Sequence, residues 1–135
     1  MTTTPATPPP VIARWLDFMS NPESTDLAEL LDEDVVFYSP AVFTPQAGRA
    51  KTTAYLRAAE KVFADADFRY LEHWYSERSA VLQFTANLDG TVVEGIDMIA
   101  WNDAGKITSF KVMVRPLKGL QSLIPRMAQL LTESG

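Results

Sequence analysis

Asp89 and Gly90 stand between two long runs of alternating polarity, AVLQFTANL at 80–88 and TVVEGIDMIAW at 91–101. Both residues tolerate the positive φ of a two-residue type I′ turn, so the runs predict a β-hairpin whose register is fixed by its loop. Leu88 then pairs with Thr91, and Leu82 lies opposite Asp97. Phe84, Ala86, Val93, Gly95 and Ile99 share a face with Asp97, while Val81, Gln83, Thr85 and Asn87 form a wetter opposite face. Asp97 is therefore an acid on the apolar side of a strand. A carboxylate is almost never fully buried without a partner, because its charged form loses several kcal/mol of hydration.

The hairpin sits within a longer pattern. VIARWLDFM places Val11, Ile12, Trp15, Leu16 and Met19 on one helical stripe, and Asn21-Pro22 ends it. Ser24 or Thr25 is positioned to cap a second helix, DLAELL, closed by a solvated acidic cluster at 32–34. DVVFYSP reads as a short strand ended by Pro40, and AKTTAYLRAAEKVF as a third helix. RYLEHWYS and KITSFKVMV then flank the hairpin to complete a meander. Helices first and strands second predict an α+β fold, with N-terminal helices packed on one face of a strongly curved, mainly antiparallel sheet. If Glu77-Arg78 is the preceding turn, His73 also lies opposite Leu82, in the row of Asp97. Two strand spacings, about 9–10 Å, would separate them, a span suited to groups flanking a ligand.

Three segments follow: a Thr/Pro-rich tail at 1–10, a domain at 11–115, and an added amphipathic helix at 116–135. In that helix Leu117, Leu120, Ile124, Met127 and Leu131 recur at helical spacing, and Pro125 should kink or restart it. It has two readings, plain packing or a lid over a cavity.

Composition narrows the partners. A net charge of −5 argues against nucleic acid, and no stretch approaches the roughly 20 apolar residues of a membrane span. Cysteine is absent and there is one histidine, which leaves no thiolate or His-based metal site and no disulfide. No phosphate-binding glycine loop or nucleophile elbow occurs, so no cofactor is expected. The start MTTTPATPPP has neither a basic nor an apolar leader region, and a cytoplasmic location is expected.

LAELLDEDVVFYSP, AGRAKTTAYLRAAEKVF and EGIDMIAWNDAGKITSFKVMV resemble the nuclear transport factor 2-like superfamily over about residues 11–115. That family shares a cystatin-like cone with polyketide-cyclase-like proteins and ketosteroid isomerase. The resemblance implies an apolar cavity inside the cone. In the isomerase it holds a tyrosine from the first helix, a base aspartate ending the first strand, and a protonated aspartate on a later strand. Asp97 matches the last of these, but Trp15 and Ser39 stand where the tyrosine and the base would be. Serine cannot take a proton near neutral pH, so ketosteroid isomerisation itself is not expected. The limonene-epoxide-hydrolase branch needs an Arg and an Asp on a strand, and Thr85 and Asn87 occupy that stretch. Polyketide-cyclase-like relatives work with an Asp and often a His, which keeps Asp97 and His73 as candidate catalytic residues.

The expected ligand is a small apolar molecule bearing a carbonyl or hydroxyl. Trp15, Phe37, Ser39, Tyr55, Leu82, Phe84, Phe110, Val112 and Val114 are the expected walls. Asp97 would donate when protonated or act as an acid–base group when partly ionised. A third role stays open, a structural carboxyl paired with the Trp15 N–H or with Tyr55. A non-enzymatic ligand-binding or protein-interaction module of the same fold is the alternative. The outer sheet face, with Val92, Ile96, Met98 and Ala100, predicts a homodimer.

Overall fold

A computed structural model describes residues 7–134; the expected tail at 1–10 lies outside the described residues up to position 6. Helix α1 (Pro10–Ser20) starts one residue earlier than the stripe, because a proline is well suited to the first turn of a helix. Its buried side chains are Val11, Ile12, Trp15 and Phe18, while Leu16 and Met19 are only half-buried. The stripe thus lies slightly to one side of the expected one. A single 3-10 turn over Pro22–Ser24 leads to the short helix α2 (Leu27–Leu30). Its cap is Asp26, whose carboxylate accepts from the Ala28 N–H, and not Ser24 or Thr25. The Ser24 hydroxyl donates to the Asn21 carbonyl instead.

Strand β1 (Leu31–Tyr38) begins earlier than expected, so Asp32–Asp34 are strand residues and do not close a helix. Burial of Leu31 and Val35 beneath the helices pulls the chain into extended form there. After a short strand β2 (Gln46–Ala47) comes α3 (Arg49–Ala64). The meander follows as β3 (Arg69–Tyr75), β4 (Ser79–Leu88), β5 (Thr91–Trp101) and β6 (Ile107–Arg115), and α4 (Leu117–Ser134) ends the fold. The six strands form one sheet in the order β2-β1-β6-β5-β4-β3. Only β1 and β6 pair in parallel, so the sheet is mixed but mainly antiparallel.

The hairpin register matches the sequence reading: Leu88 pairs with Thr91 and Leu82 with Asp97. Asp89 and Gly90 both have positive φ, at 52° and 96°. His73 pairs with Leu82, as the Glu77-Arg78 turn requires. The parity of β3 changes further along. Between Tyr70 and Glu72 the register shifts, so Tyr70 pairs with Phe84 while Glu72 pairs with Gln83. Leu71 is the extra residue of a bulge, and a bulge re-aims the side chain beside it. Tyr70 thereby joins the inner face that plain alternation would have denied it.

The helices cover the inner face in two joined apolar groups. Ile12, Trp15, Phe18, Leu30 and Phe110 centre one, while Phe63, Phe84, Val93 and Leu123 centre the other. Tyr70 and Val112 pack against both. Helix α4 comes close to β5 at Gly119, where a Cβ would meet Val93 Cγ1 at 2.5 Å. The helix runs through Pro125 without the expected restart. One lost backbone bond is outweighed by burial of Leu123 and half-burial of Leu120, Met127 and Leu131, although Leu117 and Ile124 stay exposed. Among the described residues, no helix is long and apolar enough to cross a membrane.

Candidate functional site

The concave side of the sheet and the helices enclose a cavity of about 200 Å³. Helix α1 supplies Trp15, the end of β1 supplies Phe37, the turn after it supplies Ser39, and α3 supplies Tyr55. Strands β4, β5 and β6 supply Phe84, Asp97, Phe110 and Val112. These eight expected residues are brought together. Three others are not on the wall. Leu82 is fully buried in the core opposite Asp97, and Val114 packs in the second apolar group. His73 lies outside the cavity, where its Nδ1 meets the Tyr75 hydroxyl at 2.8 Å. Burial pushes the His73 imidazole below its ordinary pKa, disfavouring its charged form.

Asp97 is 6% exposed and, among the described residues, is the only carboxylate on the cavity wall, where no described Lys, Arg or His accompanies it. Its partner comes from the bulged strand. The Tyr70 hydroxyl donates to Asp97 Oδ2 over 2.5 Å, and Trp15 Nε1–H donates to the same hydroxyl oxygen over 2.9 Å. Trp15 therefore reaches Asp97 through Tyr70, and the direct pairing with Trp15 or Tyr55 is not formed. Desolvation by burial pushes the Asp97 carboxyl up from the usual 3.8 to about 7, against the smaller opposing pull of the Tyr70 hydrogen bond. Burial also holds Tyr70 well above its ordinary range, reinforced by the adjacent Asp97. Near neutrality this carboxyl can donate or accept a proton, and the tyrosine stays a neutral phenol.

Ser39, at the position expected of a base, accepts a hydrogen bond from the Ala41 N–H at 3.0 Å and shapes the turn after β1. The ring of Tyr55 stacks on Phe37 with centroids 5.1 Å apart, forming an aromatic wall. Sequence reasoning missed Tyr70. Tyr70 needed knowledge of the bulge at Leu71. The α4 stripe was visible, and Leu120, Ile124, Met127 and Leu131 of that stripe do line the cavity. Among the described residues no cluster of three metal-ligating side chains occurs.

A model of the SnoaL-like domain matches residues 12–110. The structure is similar to a steroid delta-isomerase from Pseudomonas aeruginosa, with 36% identity and a TM-score of 0.86 over 92% of this chain and 90% of that one. It is also similar to an uncharacterised protein with a cystatin-like fold from Silicibacter pomeroyi, with 29% identity and a TM-score of 0.81 over 89% of this chain and 84% of that one. A nuclear transport factor 2-like protein of unknown function from Mesorhizobium loti, at 20% identity and a TM-score of 0.69, shares the fold over 78% of this chain and 88% of its own. No curated protein matches the chain.

Proposed function

The chain belongs to the SnoaL-like domain family, and on that premise we propose that its cavity takes a small, neutral, apolar molecule bearing a carbonyl or hydroxyl oxygen. One observation carries this reading: a single proton-exchanging carboxyl, Asp97, faces a mainly aromatic and aliphatic cavity whose other polar groups include the Ser39 and Tyr55 hydroxyls, with no cationic residue among the described wall residues. An anionic ligand would meet no counter-charge there, and a strongly polar one would leave its groups unpaired. A carbonyl oxygen would accept from protonated Asp97, and a hydroxyl would donate to the ionised form.

Acid–base chemistry of the polyketide-cyclase type follows from the same group, with Asp97 protonating or deprotonating the ligand at its oxygen-bearing end. His73 takes no part, since it is turned to Tyr75. The similarity to a protein named steroid delta-isomerase raises proton transfer between carbons as a candidate reaction. Ser39 cannot serve as its base, so isomerisation of a ketosteroid is not the reaction expected of this cavity.

The test is binding of a neutral aromatic ketone, 2-acetylnaphthalene, followed by quenching of tryptophan fluorescence. Affinity should fall as pH rises from 6 to 8.5, and Asp97→Leu should weaken binding at pH 6 about three- to tenfold, the worth of one neutral hydrogen bond. Binding that ignores both pH and this substitution would refute the reading.

We also propose a homodimer formed through the outer sheet face, and a cytoplasmic location in keeping with a cysteine-free chain. Trp74, Val81 and Met98 form one cross-strand row, and Ile96 and Met113 pair in the next, with Trp74, Met98 and Met113 at 51%, 36% and 50% exposure. Apolar side chains gathered on an open face favour self-association. This surface also supports the non-enzymatic alternative, an interaction module, which needs no acid inside its cone.

A further inference from the structure

The first link in the chain of hydrogen bonds behind Asp97 has a direction fixed by simple chemistry. An indole N–H donates and cannot accept. The Tyr70 oxygen therefore receives at Trp15, and the single hydrogen of Tyr70 has to point elsewhere. Its acceptor in the protein is Asp97 Oδ2. Among the described residues Asp97 Oδ1 has no hydrogen-bond partner, while its residue lines the cavity. We propose that Trp15 and Tyr70 are positioning residues for Asp97, holding Oδ2 from behind so that Oδ1 alone is the oxygen that, on the ligand-binding reading above, meets the ligand.

This wiring separates the site from one in which a tyrosine and an acid both donate to a single ligand oxygen. Tyr70 has one hydrogen, and it is committed to the carboxyl. From the Trp15–Tyr70–Asp97 chain the ligand then receives one hydrogen bond, at Asp97 Oδ1. Trp15 is well suited to the task because its ring is itself held, edge-on to Phe110 at 4.8 Å and tilted on Phe18 at 5.4 Å. A fixed donor fixes the tyrosine oxygen. The other titratable groups nearby are Tyr55, on the cavity wall from α3, and His73, whose ring meets the edge of Tyr70 at 5.9 Å.

Titration of the ligand-free protein by carboxyl ¹³C and indole ¹H–¹⁵N NMR tests the wiring. A donor to the carboxylate lowers its pKa, so Tyr70→Phe should raise the Asp97 midpoint. Trp15→Phe keeps an aromatic ring but removes the N–H, and should raise it by less, since the indole acts only by polarising the tyrosine. In the wild type, one of the three indole resonances should follow the Asp97 midpoint, and Asp97→Asn should flatten it. A merely structural role would lower the melting temperature and leave these midpoints in place. Unmoved midpoints in both variants would overturn the proposal. So would a lower midpoint in Tyr70→Phe, which would mean that protonated Asp97 donates to Tyr70 and frees the tyrosine hydrogen for the cavity. If Tyr70→Phe fails to fold, the wild-type indole titration and Trp15→Phe decide the matter, and a flat wild-type indole refutes it. Because no ligand is present, failure here leaves the ketone-binding test standing, and the reverse also holds.

Discussion

Replacing Asp97 by Asn should change the pH dependence of stability more than its level. In the folded protein the carboxyl is pushed up from 3.8 to about 7. Between those values the folded state binds a proton that the unfolded state has released. The stabilisation from this protonation is full below about pH 4, and it is lost progressively as pH rises to 7. A shift of about three pH units at about 1.4 kcal/mol each sets an upper figure of about 4 kcal/mol. From pH 4.5 to 8.5 the wild type should lose about 3 kcal/mol relative to Asp97→Asn, whose amide oxygen still accepts from Tyr70 and never ionises. Urea unfolding of both proteins at several pH values measures this difference. Comparing the pair cancels contributions from His73 and Glu60, which are present in both. A stability difference that stays flat across that range, or grows in favour of the wild type as pH rises, would refute the buried-acid argument.

Other outcomes follow from the same geometry. Leu123→Ala should destabilise by about 2–4 kcal/mol in thermal or urea melts, because Leu123 anchors α4 in the core at 5% exposure. Gly119→Val should lower the melting temperature and loosen the cavity wall, since even a Cβ there would overlap Val93. A small effect on both measures would show that α4 is loosely docked, as a lid would be. Wild-type protein should not isomerise a β,γ-unsaturated ketosteroid, whereas Ser39→Asp should introduce detectable turnover by placing a second carboxylate on the wall; strong wild-type turnover would contradict the assignment of Ser39. Met98→Glu should shift sedimentation from dimer to monomer at micromolar concentration, and a monomeric wild type would refute the dimer.

The most legible part of the sequence was the hairpin. Asp89-Gly90 dictates a turn, and the turn dictates that Asp97 faces inward opposite Leu82. The acid was therefore visible, and so were the aromatic walls at Trp15, Phe37, Phe84 and Phe110. Tyr70 was not, because strand alternation counted back from His73 puts it on the wrong face. The bulge at Leu71 reverses that parity, and RYLEHWY carries no Gly or Pro to announce it. The buried acid itself was the missing clue, since it required a hydroxyl or amide within reach. His73 shows the opposite limit. Its register was correct, yet a shared row does not oblige a side chain to enter the cavity. The parallel pairing of β1 with β6 is a long-range choice that no local pattern encodes.

The most direct test is the titration of the Asp97 carboxyl, first in free protein and then with saturating 2-acetylnaphthalene. The carboxyl should titrate with a midpoint of about 7 in the free protein. The midpoint should rise when the ketone binds, because a carbonyl oxygen accepts only from the protonated form. An ordinary carboxylate midpoint near 4 in the free protein, or one that the bound ketone leaves unmoved, would contradict Asp97 as the group that meets the ligand.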